Sequence, residues 1–221
     1  MVQTLIETST FGPEAGSGEQ PRSKDRFISN FPLLSLFLKL IAWVVASICV
    51  VAAPLLFYAG AIQLVGNMDT VEPGKVYRSA TLSADALTTL IRDKHIRTVI
   101  NLRGANPNQS WYQDDVRVTA SEHVRLIDLA MSAIHEPGPE LLATLSDTLK
   151  SSEEPILIHC SSGSDRTGLA SAMYELQVMG KPASVARRQL SFYWGHFPWL
   201  GSPTIAMDRA FDKVVAASTD K

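Results

Sequence analysis

Apolar and polar positions divide the chain into three parts. Residues 1 to 32 are rich in Ser, Thr, Gly, Glu and Pro without sustained periodicity, and we expect a flexible tail there. Residues 33–66 are strongly apolar, and no residue from Leu40 to Gly66 is charged. Residues 67–221 alternate short apolar runs with amphipathic stretches, which is typical of one α/β domain.

The uncharged stretch favours a transmembrane anchor over residues 33–66. It is 27 residues long, whereas a helix of roughly 20 apolar residues already crosses a bilayer core, and a buried core helix is seldom so long. Trp43 and Tyr58 stand towards its two ends, where interfacial aromatics are expected, and Pro54 is tolerated in a membrane helix. A cleavable signal peptide is the alternative, because Ala59-Gly60-Ala61 resembles a cleavage site, but the long polar tail before it fits poorly.

Basic residues near this segment predict its orientation. Four precede it and two follow it, namely Arg22, Lys24, Arg26 and Lys39 before, and Lys75 and Arg78 after. Because cytoplasmic flanks are enriched in Lys and Arg, we expect a single-pass protein with its folded domain on the extracytoplasmic, periplasmic side.

In the folded part, the spacing of apolar residues predicts alternating strands and helices. The predicted strands are Val76–Arg78, Arg97–Leu102, His123–Leu129 and Ile156–His159. The predicted helices are Ala84–Asp93, Asp114–Glu122, Glu140–Lys150, Leu169–Val178, Ala183–Leu190 and Ala206–Val215. Such alternation indicates a mainly parallel central sheet with helices on both faces, whose ligands bind at the carboxyl ends of the strands.

Two further stretches have a structural interpretation. We expect Asp114 and Asp115 to be solvated at a helix start, and the aromatic stretch from Phe192 to Phe197 to pack in the core rather than to line a cleft. Within that stretch, His196 is predicted to be a hydrogen-bonded core residue and not a catalytic one.

The chemistry concentrates where the last strand meets its helix, in the stretch HCSSGSDRTG from His159 to Gly168. Five small or polar residues separate Cys160 from Arg166, which is enough for backbone N–H groups to turn inward as an anion cradle. The following helix directs its positive end to the same point, and Arg166 adds a planar fork for two oxygens of a tetrahedral anion. That positive field favours the Cys160 thiolate, a nucleophile.

Composition excludes two other classes of protein. A net charge of −2 without a basic cluster gives no support to nucleic-acid binding. The two cysteines, Cys49 and Cys160, cannot form a disulfide framework, and only Cys160 lies in the folded part.

These residues resemble a known family. His159-Cys160, five residues, and Arg166-Thr167-Gly168 match the HCx5R[ST]G signature of the cysteine-dependent tyrosine and dual-specificity phosphatases. Val76–Ala80 and Val99–Gly104 are similar to the YRS and NLRG segments of a bacterial branch whose loop is HCxxGxDRTG. The resemblance covers about Met68 to Phe211. It implies a phosphatase fold and hydrolysis of phosphomonoesters without a metal or other cofactor.

The resemblance also implies roles for the loop residues. Cys160 would attack phosphorus to form a phosphocysteine, and Arg166 would clamp the equatorial oxygens. His159 would orient the loop, and Thr167 would hydrogen-bond the departing sulfur. The substrate-binding set is completed by the loop residues Ser161, Ser162, Gly163 and Ser164.

The general acid has several candidates. The stretch Leu129–Gly138, where the commonest tyrosine phosphatases have a mobile acid loop, contains no aspartate. In the HCxxGxDRTG branch the loop aspartate is the proposed acid, which points to Asp165, while Glu136 and Asp128 remain alternatives.

The expected function is a membrane-anchored phosphatase acting on phosphotyrosine or phosphoserine/threonine of proteins. An inositol phosphate or phosphoinositide phosphatase is an alternative, disfavoured because Ser164 stands where the branch often has a lysine. Sulfur transfer or arsenate reduction also uses a cysteine in an anion loop, but arsenate reduction normally needs further cysteines. The remaining alternative is a phosphate-binding module without turnover. The expected partners are a phosphorylated protein or small phosphoester and the lipid bilayer.

Overall fold

The computed structural model describes residues 32–219, and the chain divides into two units, residues 1–52 and 53–221. The tail predicted over residues 1 to 32 lies outside the described residues except for Pro32, and it stays a prediction. In the first unit the described residues are all helical and their side chains are largely exposed.

Helix α1 runs from Pro32 to Leu64 and includes Pro54. It has the length and apolar composition of a helix that could cross a membrane. The helix begins one residue before the predicted anchor 33–66 begins, and it ends two residues before the predicted anchor ends. A turn through Gly66 and Asn67 then leads into the sheet. Asn67 has a φ of +44°, so the chain leaves the helix through a left-handed residue.

The elements that follow alternate between strand and helix. In chain order they are β1 (Asp69–Glu72), β2 (Val76–Ser79), α2 (Ala84–Lys94), β3 (Thr98–Asn101), α3 (Ser110–Ser121), β4 (Arg125–Asp128), α4 (Pro139–Ser151), β5 (Ile156–His159), α5 (Asp165–Gln177), α6 (Ala183–Ala186) and α7 (Ile205–Thr219). Two short 3-10 turns, Arg187–Gln189 and Phe192–Trp194, lie between α6 and α7.

The five strands form one sheet in the order β1-β2-β5-β3-β4. Only β1 is antiparallel to its neighbour, and β2, β5, β3 and β4 are parallel. The predicted fold class, a mainly parallel sheet between helices, is therefore confirmed. Because β5 lies between β2 and β3, the residues that follow it reach the middle of the carboxyl edge, where parallel strands place ligands.

Strand β5 also explains why both faces of the sheet are covered. All four of its residues are buried. Ile156 and Ile158 pack in the cluster that contains α4, α5 and α7, whereas Leu157 packs with α2 and α3 on the other face. This period of two gives each face an apolar layer, and the stretch from Cys160 onward begins at the end of a fully buried strand.

Several predicted boundaries differ from the structure. Strand β1 was not predicted because its sequence, DTVE, is polar and only Val71 is buried. Helix α3 begins at Ser110, four residues before the prediction, so Asp115 lies in its second turn and is 1% exposed instead of solvated. The helix predicted over Ala183–Leu190 is a four-residue helix followed by a 3-10 turn.

The aromatic stretch after the turn Arg187–Gln189 is only partly in the core. His196 is fully buried and hydrogen-bonded, as predicted. Tyr193 and Phe197, in contrast, are 61% and 40% exposed, so the prediction of core packing is wrong for these two rings. The hydrogen bonds of His196 and of the backbone hold this stretch in place, and part of its apolar side-chain surface stays exposed to solvent.

Candidate active site

Cys160 lies at the centre of the carboxyl edge of the sheet. It follows His159, the last residue of β5, which is in register with Ser79 of β2 and Asn101 of β3. Its side chain is buried, at 1% exposure. The neighbouring strands therefore bring their own following residues, Thr81 and Arg103, to the same edge.

The loop from Cys160 to Arg166 is fixed through its backbone. Thr81 donates from Oγ1 to the Cys160 carbonyl at 2.9 Å and from its backbone N to the Ser161 carbonyl at 3.3 Å. Gly163 has a φ of +70°, and a Cβ placed there would lie 2.7 Å from the backbone N of Ala80. Glycine is therefore required both by its conformation and by the close approach of β2.

Arg78, on β2, holds the loop from behind. This side chain is fully buried; its Nη2 donates to the Gly163 carbonyl at 2.6 Å and its Nη1 to the backbone and side-chain oxygens of Gln189. The guanidinium also lies 4.2 Å from the ring centroid of Trp194. Burial lowers the pKa of Arg78 to about 10, so the group remains a cation at neutral pH.

Two more arginines belong to the same edge. Arg166 donates from Nη1 to the Met131 carbonyl at 3.2 Å, and its Nε is buried without a hydrogen-bond partner in the described structure. Arg103 stacks on Trp111, 3.4 Å from the ring centroid, and donates to Thr81 Oγ1 at 3.0 Å. Burial and the like charge of Arg166 lower the pKa of Arg103, while Cys160 and Asp115 favour its charged form.

These three arginines share one property. Among side chains 33–218, none of Arg78, Arg103 and Arg166 forms an ion pair with a carboxylate. Their hydrogen bonds go to neutral oxygens instead. Arg78 is buried and the other two are half-buried, and cations removed from water are normally paired, so the arrangement fits an anion supplied from outside the chain.

His159, which precedes the loop, and Asp115 are both buried and lie close together. Burial, together with the charges of Arg103 and Arg166, lowers the pKa of His159 to about 3, so its imidazole is neutral. Burial raises the pKa of Asp115 to about 7, although Arg103 acts in the opposite direction. The Asp115 Oδ2 and His159 Nε2 atoms are 3.5 Å apart, but their alignment makes no hydrogen bond.

Asp165, the first residue of α5, is bound to a histidine. His196 lies between two carboxylates, with its Nδ1 2.7 Å from Asp165 Oδ1 and its Nε2 2.8 Å from Asp208 Oδ2. Burial alone lowers the pKa of His196, but the hydrogen bonds to both aspartates outweigh it and raise the pKa to about 9. The imidazole is thus a cation that joins the catalytic loop to α7.

The two alternative acids are each engaged elsewhere. Asp128, at the end of β4, accepts hydrogen bonds from the Tyr112 hydroxyl at 2.5 Å and from Asn101 Nδ2 at 2.8 Å. Glu136 accepts from Lys213 Nζ at 2.5 Å, and that hydrogen bond leads the effects that lower the pKa of Glu136. The contact with Lys213 favours the ionised form of Glu136 over a proton donor, and both carboxylate oxygens of Asp128 already accept hydrogen bonds.

The remaining predicted site residues all lie in or beside this loop. Ser164 is 3% exposed and Thr167 is fully buried, with a hydroxyl that makes no hydrogen bond within the described structure. Ser161 is exposed and Ser162 half-buried. The predicted set is thus contiguous around Cys160, and the structure adds Arg78, Thr81 and Asp115 to it. The one sequence signal for Arg78 was an arginine inside a predicted strand, Val76–Arg78.

Comparison with known proteins agrees with this geometry. A model described as "Tyrosine phosphatase family" matches residues 60–187. The dual specificity protein phosphatase TpbA of Pseudomonas aeruginosa strain UCBPP-PA14 is 30% identical over 135 residues, which are 60% of this chain and 57% of the relative. The chain therefore spans somewhat more than half the length of the curated relatives it matches.

Solved structures share the fold. P. aeruginosa TpbA, crystallised as a cysteine-to-serine variant in complex with phosphotyrosine, is 22% identical, with a TM-score of 0.51 over 70% of this chain and 96% of that one. The catalytic core of the S. cerevisiae PP-IP phosphatase SIW14, in complex with citrate, is 19% identical, with a TM-score of 0.50 over 70% and 93%.

Gly163→Ala tests the close approach of the loop to β2. The added Cβ meets backbone atoms, and the left-handed conformation is itself strained, so we expect a loss of about 2 kcal/mol or more in the free energy of unfolding. Gly74→Ala is the matched control, since Gly74 has a φ of +77° with open space around it, and it should cost about 1 kcal/mol. Equal thermal melting temperatures for the two variants in detergent micelles would contradict the close approach.

His196→Gln tests the buried cation. The folded pKa lies above the ordinary value of 6.5, so the stabilisation is complete below pH 6.5 and disappears as the pH rises through about 9. At pH 6 the variant should lose up to about 3 kcal/mol, and its melting temperature should become nearly independent of pH between 6.5 and 9. His135→Gln changes an exposed histidine and serves as control. An unchanged pH profile in His196→Gln would mean that the imidazole is neutral.

Proposed function

Because the chain belongs to the tyrosine phosphatase family, we propose that it is a membrane-anchored phosphatase that hydrolyses phosphomonoesters through a cysteinyl-phosphate intermediate. One observation is the main support: a buried cysteine lies at the start of a loop beside three arginines that have no carboxylate partner among the described side chains. The phosphate of the substrate would supply the missing negative charge. It would bind against the loop N–H groups and the N-terminus of α5.

In the first step, the Cys160 sulfur attacks phosphorus in line with the ester oxygen. A sulfur–phosphorus bond forms, the phosphorus–oxygen bond to the leaving group breaks, and the leaving oxygen takes a proton. Arg166, whose Nε is free of protein partners within the described residues, would stabilise the equatorial oxygens of the loose transition state. Arg78 would keep the loop in its cradle shape through the Gly163 carbonyl.

We assign the general acid to Asp165. It adjoins Arg166 at the start of α5, and its side chain is 17% exposed, so it reaches solvent and a leaving group. His196 binds Oδ1, which leaves Oδ2 as the oxygen that can carry a proton. The hydrogen bond between His196 and Oδ1 would fix the carboxyl in place beside Arg166.

In the second step, water attacks the phosphocysteine. The sulfur–phosphorus bond breaks, and the Asp165 carboxylate, deprotonated in the first step, takes a proton from the water. The Thr167 hydroxyl, buried and without a hydrogen bond in the described part of the chain, would donate to the departing sulfur. Cys160 is thereby restored and inorganic phosphate leaves.

The proposed substrates are phosphotyrosine and phosphoserine/threonine of proteins. Support comes from TpbA, a relative described as a dual specificity protein phosphatase and solved with phosphotyrosine. Inositol phosphates are the second candidate, because SIW14 is a PP-IP phosphatase of the same fold. Ser164 disfavours them here, since this loop position is uncharged and only 3% exposed and adds no cation for a polyanionic ring.

Helix α1 supports the anchoring part of the proposal. Its composition permits a membrane span, and the excess of basic residues on its N-terminal side favours a phosphatase domain outside the cytoplasm.

Hydrolysis of p-nitrophenyl phosphate by the full chain in detergent micelles, with a chelator present, tests the nucleophile. Cys160→Ser should lower kcat at least about 1,000-fold, because a serine hydroxyl is not ionised at neutral pH. Arg166→Lys should lose about 100-fold or more, since a point charge cannot hold two oxygens. Arg188→Lys, at the turn Arg187–Gln189, is the control for the arginine change. Phosphate binding without turnover in the wild type would favour the non-catalytic module.

Leaving groups of different basicity test Asp165. Asp165→Asn should lower kcat about 100-fold on phenyl phosphate and far less on a substrate with an acidic leaving phenol, because only the poor leaving group needs its proton. Glu136→Gln and Asp128→Asn, measured on the same pair of substrates, should show no such contrast. If the contrast appears in one of these variants instead, the acid is that residue.

A further inference from the structure

A long apolar segment follows the turn Arg187–Gln189. From Leu190 to Met207 the sequence LSFYWGHFPWLGSPTIAM has no Asp, Glu, Lys or Arg. Its single histidine, His196, is fully buried. This 18-residue segment therefore has no charged side chain at the surface, although segments that connect helices at the surface are usually polar.

The same segment exposes large apolar side chains. Leu200 is 95% exposed, Tyr193 61%, Trp199 54% and Phe197 40%, and we call these four residues the apolar rim. Between residues 69 and 218 the other large apolar side chains this exposed are the scattered Val116, Ile134 and Val178. A cluster of exposed apolar side chains of this kind is typical of a surface that binds a membrane or another protein.

The apolar rim is continuous with the end of α1. The Tyr58 hydroxyl donates to the Tyr193 carbonyl at 2.8 Å, and the Tyr58 ring lies 5.9 Å from that of Phe192. Ile62 approaches Gly195, where an added Cβ would be 3.2 Å from its Cδ1. The last turns of the apolar helix thus contact the segment that forms the rim.

The length of α1 indicates where the apolar rim would lie relative to a bilayer. Its 33 residues are about 50 Å long, whereas the hydrocarbon core of a bilayer is about 30 Å thick. A span that begins after Lys39 would use about 20 residues and end near Ala59. Tyr58 and its partner Tyr193 then lie at the outer boundary of the bilayer, where tyrosine and tryptophan are enriched.

Polar side chains connect this boundary to the catalytic loop. Asn67 Nδ2 donates to the carbonyls of both Trp194 and Ser162, each at 2.9 Å. Gln63 Nε2 donates to the same Ser162 carbonyl at 3.0 Å. Asn67 therefore connects the loop that would bind phosphate directly to the segment that carries the apolar rim.

We propose that the apolar rim binds the surface of the lipid bilayer, with Tyr193, Trp199 and Leu200 in its interfacial region. The proposal rests on the proposed anchoring by α1, not on the proposed hydrolysis. A bilayer is favoured over a protein partner because the segment carrying the rim contacts Tyr58, at the end of the proposed membrane span. Because the rim has no charge, its binding should depend on neither anionic lipid nor salt.

The depth of a label on the rim tests this proposal. The full chain with Cys49→Ala, Cys160→Ser and Leu200→Cys is labelled with a fluorescent probe and reconstituted into phosphatidylcholine vesicles. We expect about twofold quenching by lipids with a nitroxide near the headgroup, and the same quenching in high salt. Tyr193→Cys, in the same background, gives a second position on the rim.

Glu153→Cys is the matched control. Glu153 is exposed and precedes β5, at the opposite end of the strand from Cys160. A probe there should be quenched by aqueous iodide and not by the nitroxide lipids. Lipid quenching of both rim probes but not of this one supports the proposal.

The outcomes separate the proposals. If the chain floats with the vesicles after an alkaline wash but the rim probes are quenched only by iodide, the rim proposal is wrong and the anchor stands. If the chain does not float, both are wrong. Hydrolysis by the wild type in micelles is measured independently, so neither outcome changes the case for the phosphatase.

Discussion

The guanidinium of Arg78 is the contact on which the catalytic loop depends. It is buried in a central strand, has no carboxylate partner among the described side chains, and its bond to the Gly163 carbonyl determines how the loop turns after Cys160. Burying such a charge is costly, and Gln189 and the Trp194 ring offset only part of that cost. A phosphate held in the loop would add the missing negative charge, so substrate binding and the integrity of the loop are coupled.

Most of the fold could be predicted because its signals are local. The apolar run of β5 was predicted with its observed bounds, and the amphipathic helix α4 within one residue at each end. The edge strand β1 could not, because an edge strand buries little and DTVE has no apolar pattern. The early start of α3 was missed for a related reason: Ser110 to Gln113 show no apolar period before Asp115 turns inward.

The catalytic loop was predictable because all of its residues are consecutive. Contacts between distant residues were not: Arg78 lies 85 positions from Gly163, and His196 lies 31 from Asp165. The burial of Asp115 depends on how α3 packs beside His159, which no spacing in the sequence encodes. The roles of charged residues that meet only through tertiary packing could therefore be identified only from the structure. The residues of one tight turn could be identified from the sequence.

The two amides that bind the Ser162 carbonyl, Gln63 and Asn67, belong to the end of α1 and the turn after it. A chain cut just before Met68 lacks both, although every residue of the HCx5R[ST]G signature remains. In the proposed enzyme, α1 would therefore have a second role besides anchoring: cleavage between helix and sheet would remove both amides and loosen the loop. Kinetic measurements on such a fragment would then underestimate the activity of the full chain.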